Sequence, residues 1–553
     1  MAEKKYAMGL DFGTESCRAL LVDVSNGEEV ASAVHGYGDG VIDERLPSAA
    51  RELPPDWALQ NPRDYLESLR VAVPAVLAEA GIGGEQVIGV GVDFTSCTML
   101  PTDAAGQPLC LKPEWAENPH AWVKLWKHHA AQPEADRINE LAQKRGEAFL
   151  ARYGGKISSE WFFPKALQIL DEAPEVYAAA DRLIEAGDWL VWQLTGVETR
   201  NSCCAGYKGM WDKKSGFPSR EYLRALDPRF EGIVGEKMKQ EIIPLGSKAG
   251  EITPEMAKLT RLRPGTPVAV AVIDAHVAMA AATIVRPGKM LMIMGTSLCH
   301  MIMGEEGKPV PGISGIVEDG ILPGFFGYEA GQPATGDIFA WFTENCVPFA
   351  TGEEAHAVLQ EKAARLRPGE SGLLALDWMN GNRSVLVDAD LSGLLLGLRL
   401  DTRPEQIYRA LLEASAFGTL MIIENFERQG VAVEELYACG GLPERNQLLM
   451  QIFSDVTARE IKLARSAQTC ALGSAMFGAL AAGSARGGYD DIARAAAQMA
   501  GLKREVYRPD RANHRIYREL FKEYTLLHDH FGRGGDDVMK RLKGLRARVS
   551  AAS

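Results

Sequence analysis

The sequence predicts an α/β protein built from two pseudo-equivalent domains, and three observations point there. The chain of 553 residues exceeds the length at which one hydrophobic core keeps growing, so two large domains are the default. Short apolar runs end in polar clusters, as where Val87–Val92 meets Asp93-Phe94-Thr95-Ser96. Open α/β sheets bind ligands at such carboxyl ends of strands. The third observation is an internal echo. The plan of strand, Gly-Thr turn and strand at Tyr6–Val24 returns at Lys289–Met303, KMLMIMGTSLCHMIM, about half a chain later, and long-period self-similarity points to a duplicated unit. The expected division is 1–284 and 285–553.

The first hairpin sets the chemistry. Between its apolar arms stand Asp11, Gly13, Thr14, Ser16 and Arg18. Gly13 lets a ligand approach the backbone, and Thr14 and Ser16 offer donors. Arg18 suits phosphate, and Asp11 beside an anion calls for a cation. This reads as a nucleotide-phosphate hairpin with Mg²⁺, against the plainer reading of a hairpin with a polar turn. Two facing domains would bring the second turn, Gly295-Thr296-Ser297, to the other side of the same polyphosphate.

Further along, Glu28–Val34 reads as a third strand and Gly36–Asp56 as irregular. Pro62–Ala80 has helical spacing, with Tyr65, Leu66, Leu69 and Val73 on one side. Trp122–Ala131 is expected to be helical; His128 and His129 are adjacent and share no helix face, which argues against a metal role. Ala151–Ser159 reads as a loop, Trp161–Leu170 and Ala178–Thr195 as helical, the latter closed by Gly196, and Arg200–Trp211 as an irregular loop. Pro267–Ile273 is a buried-type strand ending in Asp274-Ala275-His276. Asp274 reads equally as a helix N-cap or as a general base aimed into a cleft; His276 reads as packed. Glu435–Ser454 runs a strand into Gly440-Gly441, a platform that suits adenine-ribose, with a helix from Asn446. Neither GxxxxGK[ST] nor a GxGxxG after the first strand occurs, which excludes a P-loop enzyme and weakens a dinucleotide reading.

Composition limits the partners. Apolar content of 46% and charged content of 24% describe an ordinary globular chain. A net charge of −13 argues against nucleic acid, which demands a basic surface. The nine cysteines are scattered without zinc spacing or a disulfide framework, so a reducing cytoplasm is expected. No stretch reads as a signal peptide or a membrane span. A homodimer is the expectation from its frequency among soluble enzymes.

The order of phosphate hairpin, carboxylate, phosphate hairpin and Gly-Gly platform resembles the FGGY carbohydrate kinases, of the actin/hexokinase/chaperone ATPase superfamily. In LSGLLLGLRLDTRPEQIYRALLEASAFG, residues Gly393, Leu395, Gly397, Leu398, Gln406, Ile407, Ala410, Leu411, Leu412 and Glu413 fall on positions of the family's second signature. The first signature is looser around Trp161–Leu167, with Lys165 on its lysine. VDFTSCTMLP (92–101), AGYKGMW (205–211), VIDAH (272–276) and GYEAGQPATGDIFAWF (327–342) extend the likeness, which covers roughly residues 5–490.

The resemblance implies two RNase-H-like domains, each with a mixed five-stranded sheet flanked by helices and with ATP between them. It implies phosphorylation of a sugar's terminal hydroxyl, with L-ribulose at O5, a step of L-arabinose catabolism, as the substrate its nearest branch suggests. Another ketose or polyol (xylulose, ribitol, glycerol) and a non-catalytic actin-like ATP switch are the alternatives. On this likeness Asp274 is the general base and Asp11 the Mg²⁺ ligand. Thr14, Ser16, Arg18, Gly295, Thr296 and Ser297 meet the phosphates. Gly440, Gly441 and Asn446 shape the adenosine pocket, and Ser96, Lys208, Asp274 and Glu329 hold the sugar.

Overall fold

A computed structural model describes residues 4–48, 52–239, 241–347 and 352–550. Two mixed sheets dominate it. The first contains β1 (Tyr6–Phe12), β2 (Ser16–Asp23), β3 (Glu29–Gly36), β4 (Val87–Phe94), β5 (Lys248–Glu251), β6 (Pro267–Ala269) and β7 (Val272–Ile273), in the order β3-β2-β1-β4-β6-β5, with β7 also paired to β4. The second contains β8 (Lys289–Met294), β9 (Leu298–Gly304), β10 (Gly315–Glu318), β11 (Phe326–Gln332), β12 (Glu435–Cys439), β13 (Ile461–Ala464) and β14 (Leu502–Tyr507), in the order β10-β11-β9-β8-β12-β13-β14.

The echo in the sequence is an echo in topology. In each sheet an antiparallel trio (β3-β2-β1 or β11-β9-β8) joins a parallel set through its last strand, β1 to β4 or β8 to β12. The expected five-stranded mixed core is therefore present twice, β3-β2-β1-β4-β6 and β11-β9-β8-β12-β13. Antiparallel edge strands and the short β7 raise each sheet to seven strands. The tips differ by one residue: Phe12 pairs with Cys17 in the first hairpin, Met294 with Leu298 in the second.

A lobe built mostly from the chain between β4 and β5, joined by Trp57 and Leu59–Gln60 from before β4, has its own aromatic core of Trp57, Trp122, Tyr153, Trp161, Phe162 and Phe163. It carries a four-stranded antiparallel sheet of Leu59–Gln60, Val123–Lys124, Met99–Thr102 and Arg182–Glu185. Its α1 (Phe162–Glu172) and α2 (Ser202–Lys208), with α3 (Asp274–Ala281), α4 (Gln447–Thr457) and α5 (Thr469–Ala482) further on, frame the site described below.

Three local expectations are corrected here. Trp122–Ala131 is a short strand and turns, because Lys124 and His128 turn inward onto Gln168 instead of lining a helix face. Ala178–Thr195 is a strand, Arg182–Glu185, before its helix, Ala186–Thr195; the strand pairs with Met99–Thr102, a partner remote in sequence. Arg200–Trp211 contains α2, capped by the Asn201 side chain, which accepts from Cys204 N–H. By contrast Pro62–Ala80 is helical over its expected span, with Asn61 as N-cap. Gly196 closes its helix at φ 71°, the left-handed conformation that favours glycine.

Helix α5, from the second half of the chain, lies directly on the first sheet. It can do so because β1 and β4 present glycines there. A Cβ at Gly9 would overlap the Ala471 carbonyl, and one at Gly89 or Gly91 the carbonyls of Gly478 and Ser474. The central helices α3 and α5 also meet closely at Gly473, against the Val277 carbonyl. We expect Gly91→Ala to lower the unfolding free energy by about 1–3 kcal/mol through overpacking, read as a lower urea midpoint at unchanged slope. An unchanged midpoint would mean that α5 yields at no cost.

Candidate active site

Three parallel strands, β1, β4 and β7, end at one level, and each end carries a carboxylate. Asp11 on β1 is in register with Asp93 on β4; Val272 on β7 is opposite Asp93, and Asp274 follows two residues on, at the start of α3. Burying three carboxyls together is costly unless protons are retained. Burial, with the Asp11 charge next to it, pushes Asp93 well above the usual carboxylate range. Its Oδ2 accepts from the Ser474 hydroxyl of α5 at 2.6 Å, which opposes the shift, and its Oδ1 has no hydrogen-bond partner among the described residues. Burial raises Asp11 too, opposed by the Asp93 carboxyl beside it and by Arg18 across the hairpin.

Asp274 is half-buried, so its carboxyl keeps access to solvent. Burial pushes it up to about 7, against the Ala275 N–H, with Asp11 and Glu329 adding and Lys208 opposing. Its Oδ1 accepts from its neighbour's N–H at 2.6 Å, so it also steadies the first turn of α3. The N-cap reading is corrected: Ile273 is the N-cap, without a side-chain cap bond, and Asp274 is the first residue inside the helix.

The hairpin tips are held from outside. Gly13 N–H donates to the Ser16 carbonyl at 2.9 Å. Thr14 accepts from the Trp126 indole at its hydroxyl (3.0 Å) and from Gln60 at its carbonyl (2.7 Å), which leaves the Thr14 hydroxyl proton to donate elsewhere. The Arg18 side chain makes no hydrogen bond or ion pair among the described residues. In the second hairpin Gly295 N–H donates to Ser297 O at 3.0 Å, and the Gly295 and Thr296 carbonyls accept from the N–H groups of Gly336 and Thr335. Gly440, at φ 97°, abuts the base of this hairpin: a Cβ there would stand 2.5 Å from the Met294 carbonyl. Gly441 is exposed. Asn446 is the N-cap of α4, accepting from Leu449 N–H at 2.9 Å, with its amide N–H on Tyr408 at 3.3 Å.

Two thiols report that these pieces converge. Burial raises Cys470, at the start of α5, with Asp11, Asp93, Asp274 and Cys439 all adding. Burial likewise raises Cys299, on the second hairpin, within reach of Arg383, Glu329, Asp274 and Lys208. Both hairpins thus share Asp274 as an electrostatic neighbour.

Beside Asp274 lies a buried ion pair. Lys208, at the end of α2, donates to Glu329 of β11 at 3.0 and 3.1 Å. Burial works against both charges, yet Glu329 holds Lys208 protonated, and Lys208, with Arg383 adding, keeps Glu329 below the usual range. The loop lysine of the sequence is not solvated. His276 packs on the Tyr207 ring at 4.3 Å between centroids, and burial pushes its pKa down to about 4, so it is neutral. Ser96 is half-buried on a loop where Cys97 takes φ 48°. Fully buried Lys165 donates to the carbonyls of Cys97 and Leu125, both at 2.7 Å. The lysine of the looser signature fixes the Ser96 loop from behind.

No group of three or more His, Cys, Asp or Glu side chains among the described residues could hold a metal ion alone. The donor set here is oxygen only, with Asp11, near the end of β1 and opposite Arg18, as the carboxylate of the first hairpin. That suits Mg²⁺, which keeps several waters and takes one or two carboxylates along with substrate phosphates.

Comparison with known proteins bears on this arrangement. Residues 6–281 match the N-terminal domain of the FGGY family of carbohydrate kinases, and residues 290–482 its C-terminal domain. The chain belongs to the FGGY family of carbohydrate kinases. A protein of Halalkalibacterium halodurans named ribulokinase is 58% identical over 98% of both chains. One of Mycolicibacterium smegmatis with the same name is 51% identical over 98% of this chain and 97% of its own. Among solved structures, the xylulose kinase of Rhodospirillum rubrum superposes with a TM-score of 0.80 at 25% identity, over 95% of this chain and 98% of that one. The Plasmodium falciparum glycerol kinase with ADP superposes with a TM-score of 0.75 at 16% identity, over 94% and 98%. An FGGY kinase uses ATP, so a triphosphate is the polyphosphate to be accommodated at the hairpins.

Two charged residues near the pair escaped the sequence reading. Asp93 was visible only as part of a polar cluster; its pairing with Asp11 across two parallel strands has no local signal. Arg383 lies in a segment with no motif at all. No helix among the described residues is long and apolar enough to cross a membrane.

The raised Asp274 carboxyl has a stability consequence. Its proton is held up to about 7 in the folded chain and 3.8 in the ordinary state. Between those values the folded state binds more protons, so stability falls as pH rises through that window. Asp274→Asn removes the loss. The variant should gain on the parent by more at pH 8 than at pH 5, the difference being on the order of 2 kcal/mol. Equal gains at both pH values, by chemical denaturation, would show an ordinary carboxylate.

Proposed function

We propose that this chain transfers the γ-phosphoryl group of ATP to O5 of L-ribulose, giving L-ribulose 5-phosphate. The observation that carries this reading is the nearly full-length identity of 58% with proteins named ribulokinase. In this reading 1–284 and 285–553 act as two domains that close on the substrates. The nine free thiols suit a reducing cytoplasm.

Asp274 takes the O5 proton as O5 forms its bond to the γ-phosphorus and the bond from that phosphorus to the bridging oxygen of ADP breaks. A base titrating near neutrality matches that task. Phosphoryl transfer asks otherwise for positioning and charge stabilisation. Thr14, Ser16 and Arg18 supply donors to the phosphates from one hairpin, and the backbone and hydroxyls of Gly295, Thr296 and Ser297 from the other. Gly440 and Gly441 give the adenosine a flat approach. Mg²⁺ bound with the triphosphate would neutralise the charge between β- and γ-phosphates, held through water by Asp11. Sugar hydroxyls meet Ser96, Lys208 and Glu329; the ion pair fixes those two side chains before the sugar arrives, which lowers the ordering cost of binding.

A coupled ADP-release assay over a panel of pentuloses and pentitols tests the substrate, with L-ribulose expected to give the highest kcat/KM. A higher value for xylulose, ribitol or glycerol would move the assignment within the family. Sugar-independent hydrolysis alone would favour an ATP switch. Asp274→Ala should reduce kcat by at least ~10²-fold with ATP binding retained. Lys208→Met combined with Glu329→Gln, which removes both buried charges together, should raise the sugar's KM and leave that of ATP. An effect on the ATP KM alone would place the pair outside the sugar site.

A further inference from the structure

Arg383 is mounted rigidly and left without a partner. Its neighbours in sequence are both tied down. Asn382 exchanges backbone hydrogen bonds with Asp388, each at 2.8 Å, and its side chain accepts from Leu386 N–H at 3.0 Å. Ser384 accepts from the Gly331 N–H of β11 at 3.2 Å. Behind them Asp377 is buried and accepts from Gln332 at 2.7 Å and from Tyr524 at 2.8 Å. The arginine stem crosses β11 over Gly331, where a Cβ would stand 3.7 Å from its Cδ. That places the guanidinium two residues along the strand from Glu329.

The guanidinium is half-buried, and among the described residues no hydrogen bond or ion pair involves it. Its electrostatic neighbours, in order of strength, are Glu160, Cys299, Glu329 and Cys97. Glu160 and Cys97 belong to the inserted lobe, Cys97 being next to Ser96; Cys299 and Glu329 belong to the second sheet. Glu160 precedes Trp161, whose ring lies 5.6 Å from Lys208 Nζ. An arginine carries five N–H donors in a fixed fork, and none of these is matched by an acceptor among the described residues. Its neighbours Glu329, Cys97 beside Ser96, and Cys299, itself a neighbour of Lys208, put it at the edge of the Lys208–Glu329 pair.

We propose that Arg383 is a sugar-binding residue contributed by the second half of the chain, donating hydrogen bonds to hydroxyls of the ketose between Glu160 and Glu329. This deepens the proposed function and rests on it. Because Arg383 and Ser96 stand on opposite halves, which Lys208 and Glu329 already join, a sugar that touches both adds a second bridge between them. ATP, which meets the hairpins, gains nothing directly from the arginine.

The test uses the full-length chain and whichever ketose the panel shows it to phosphorylate. Arg383→Gln should raise the ketose KM and, by calorimetry without nucleotide, its Kd at least tenfold, with the ATP KM changed less than twofold. Arg383→Lys should recover part of that loss. A ketose analogue lacking the hydroxyl that Arg383 contacts should bind the parent more weakly and Arg383→Gln no more weakly than the full ketose, a coupling that a purely structural arginine would not produce. Equal losses for ketose and ATP, or a penalty from every deoxy analogue that is the same in parent and variant, would overturn the assignment. A parent enzyme inactive on every ketose would instead remove the proposed function, so the two failures are distinguishable.

Discussion

The constraint on which the rest depends is the meeting of three carboxyls at the ends of three parallel strands. Parallel strands in register bring Asp11, Asp93 and Asp274 to one edge, and three bare negative charges cannot remain there together without water. Burial meets this by raising all three: Asp93, deep under α5, where the Ser474 hydroxyl donates to it and opposes the shift; Asp11, opposed by Arg18; and Asp274, pushed up to about 7 with Asp11 adding. Burial thus sets apart carboxyls on strands whose residues are otherwise alike. The glycines of β1 and β4 matter for the same reason, since they let α5 come close enough to place Ser474.

How much of this was legible in the chain follows from the range of the interaction. The hairpins at Gly13-Thr14 and Gly295-Thr296, the strand ending at Asp274 and the glycine at 440 are local events, where turn chemistry and a change of period stand side by side in sequence. Long-range pairings left no such mark. The strand Arg182–Glu185 needs Met99–Thr102 to exist at all, and nothing in DRLIE shows that partner. Lys124 and His128 turn into a buried cluster with Gln168, which defeats a helical reading of their spacing. Lys165 carried a signature but not its role, which depends on two carbonyls brought from residues 97 and 125.

The ion pair of Lys208 and Glu329 raises a question of energy that its geometry answers. Two charges taken out of water in this way bring little net stability, because desolvation offsets most of their attraction. A pair kept at a functional site therefore asks for another reason. Here the pair joins α2 of the inserted lobe to β11 of the second sheet, and Tyr207 next to it fills a slot floored by Gly315, Gly320 and Gly327. The contact fixes the distance between the inserted lobe and the second sheet beside Asp274.

Fixing that distance also decides what an arriving hydroxyl can gain. Lys208 and Glu329 already satisfy each other, so a sugar oxygen entering between or beside them adds hydrogen bonds without uncovering a lone buried charge, and removing either partner would uncover one. Selectivity for a particular pattern of hydroxyls then has to come from donors that are not yet engaged, since only those lose something when the hydroxyl is missing. At this site the engaged groups belong to the scaffold and to the pair; the unengaged guanidinium of Arg383 is the group whose hydrogen bonds a substrate alone completes.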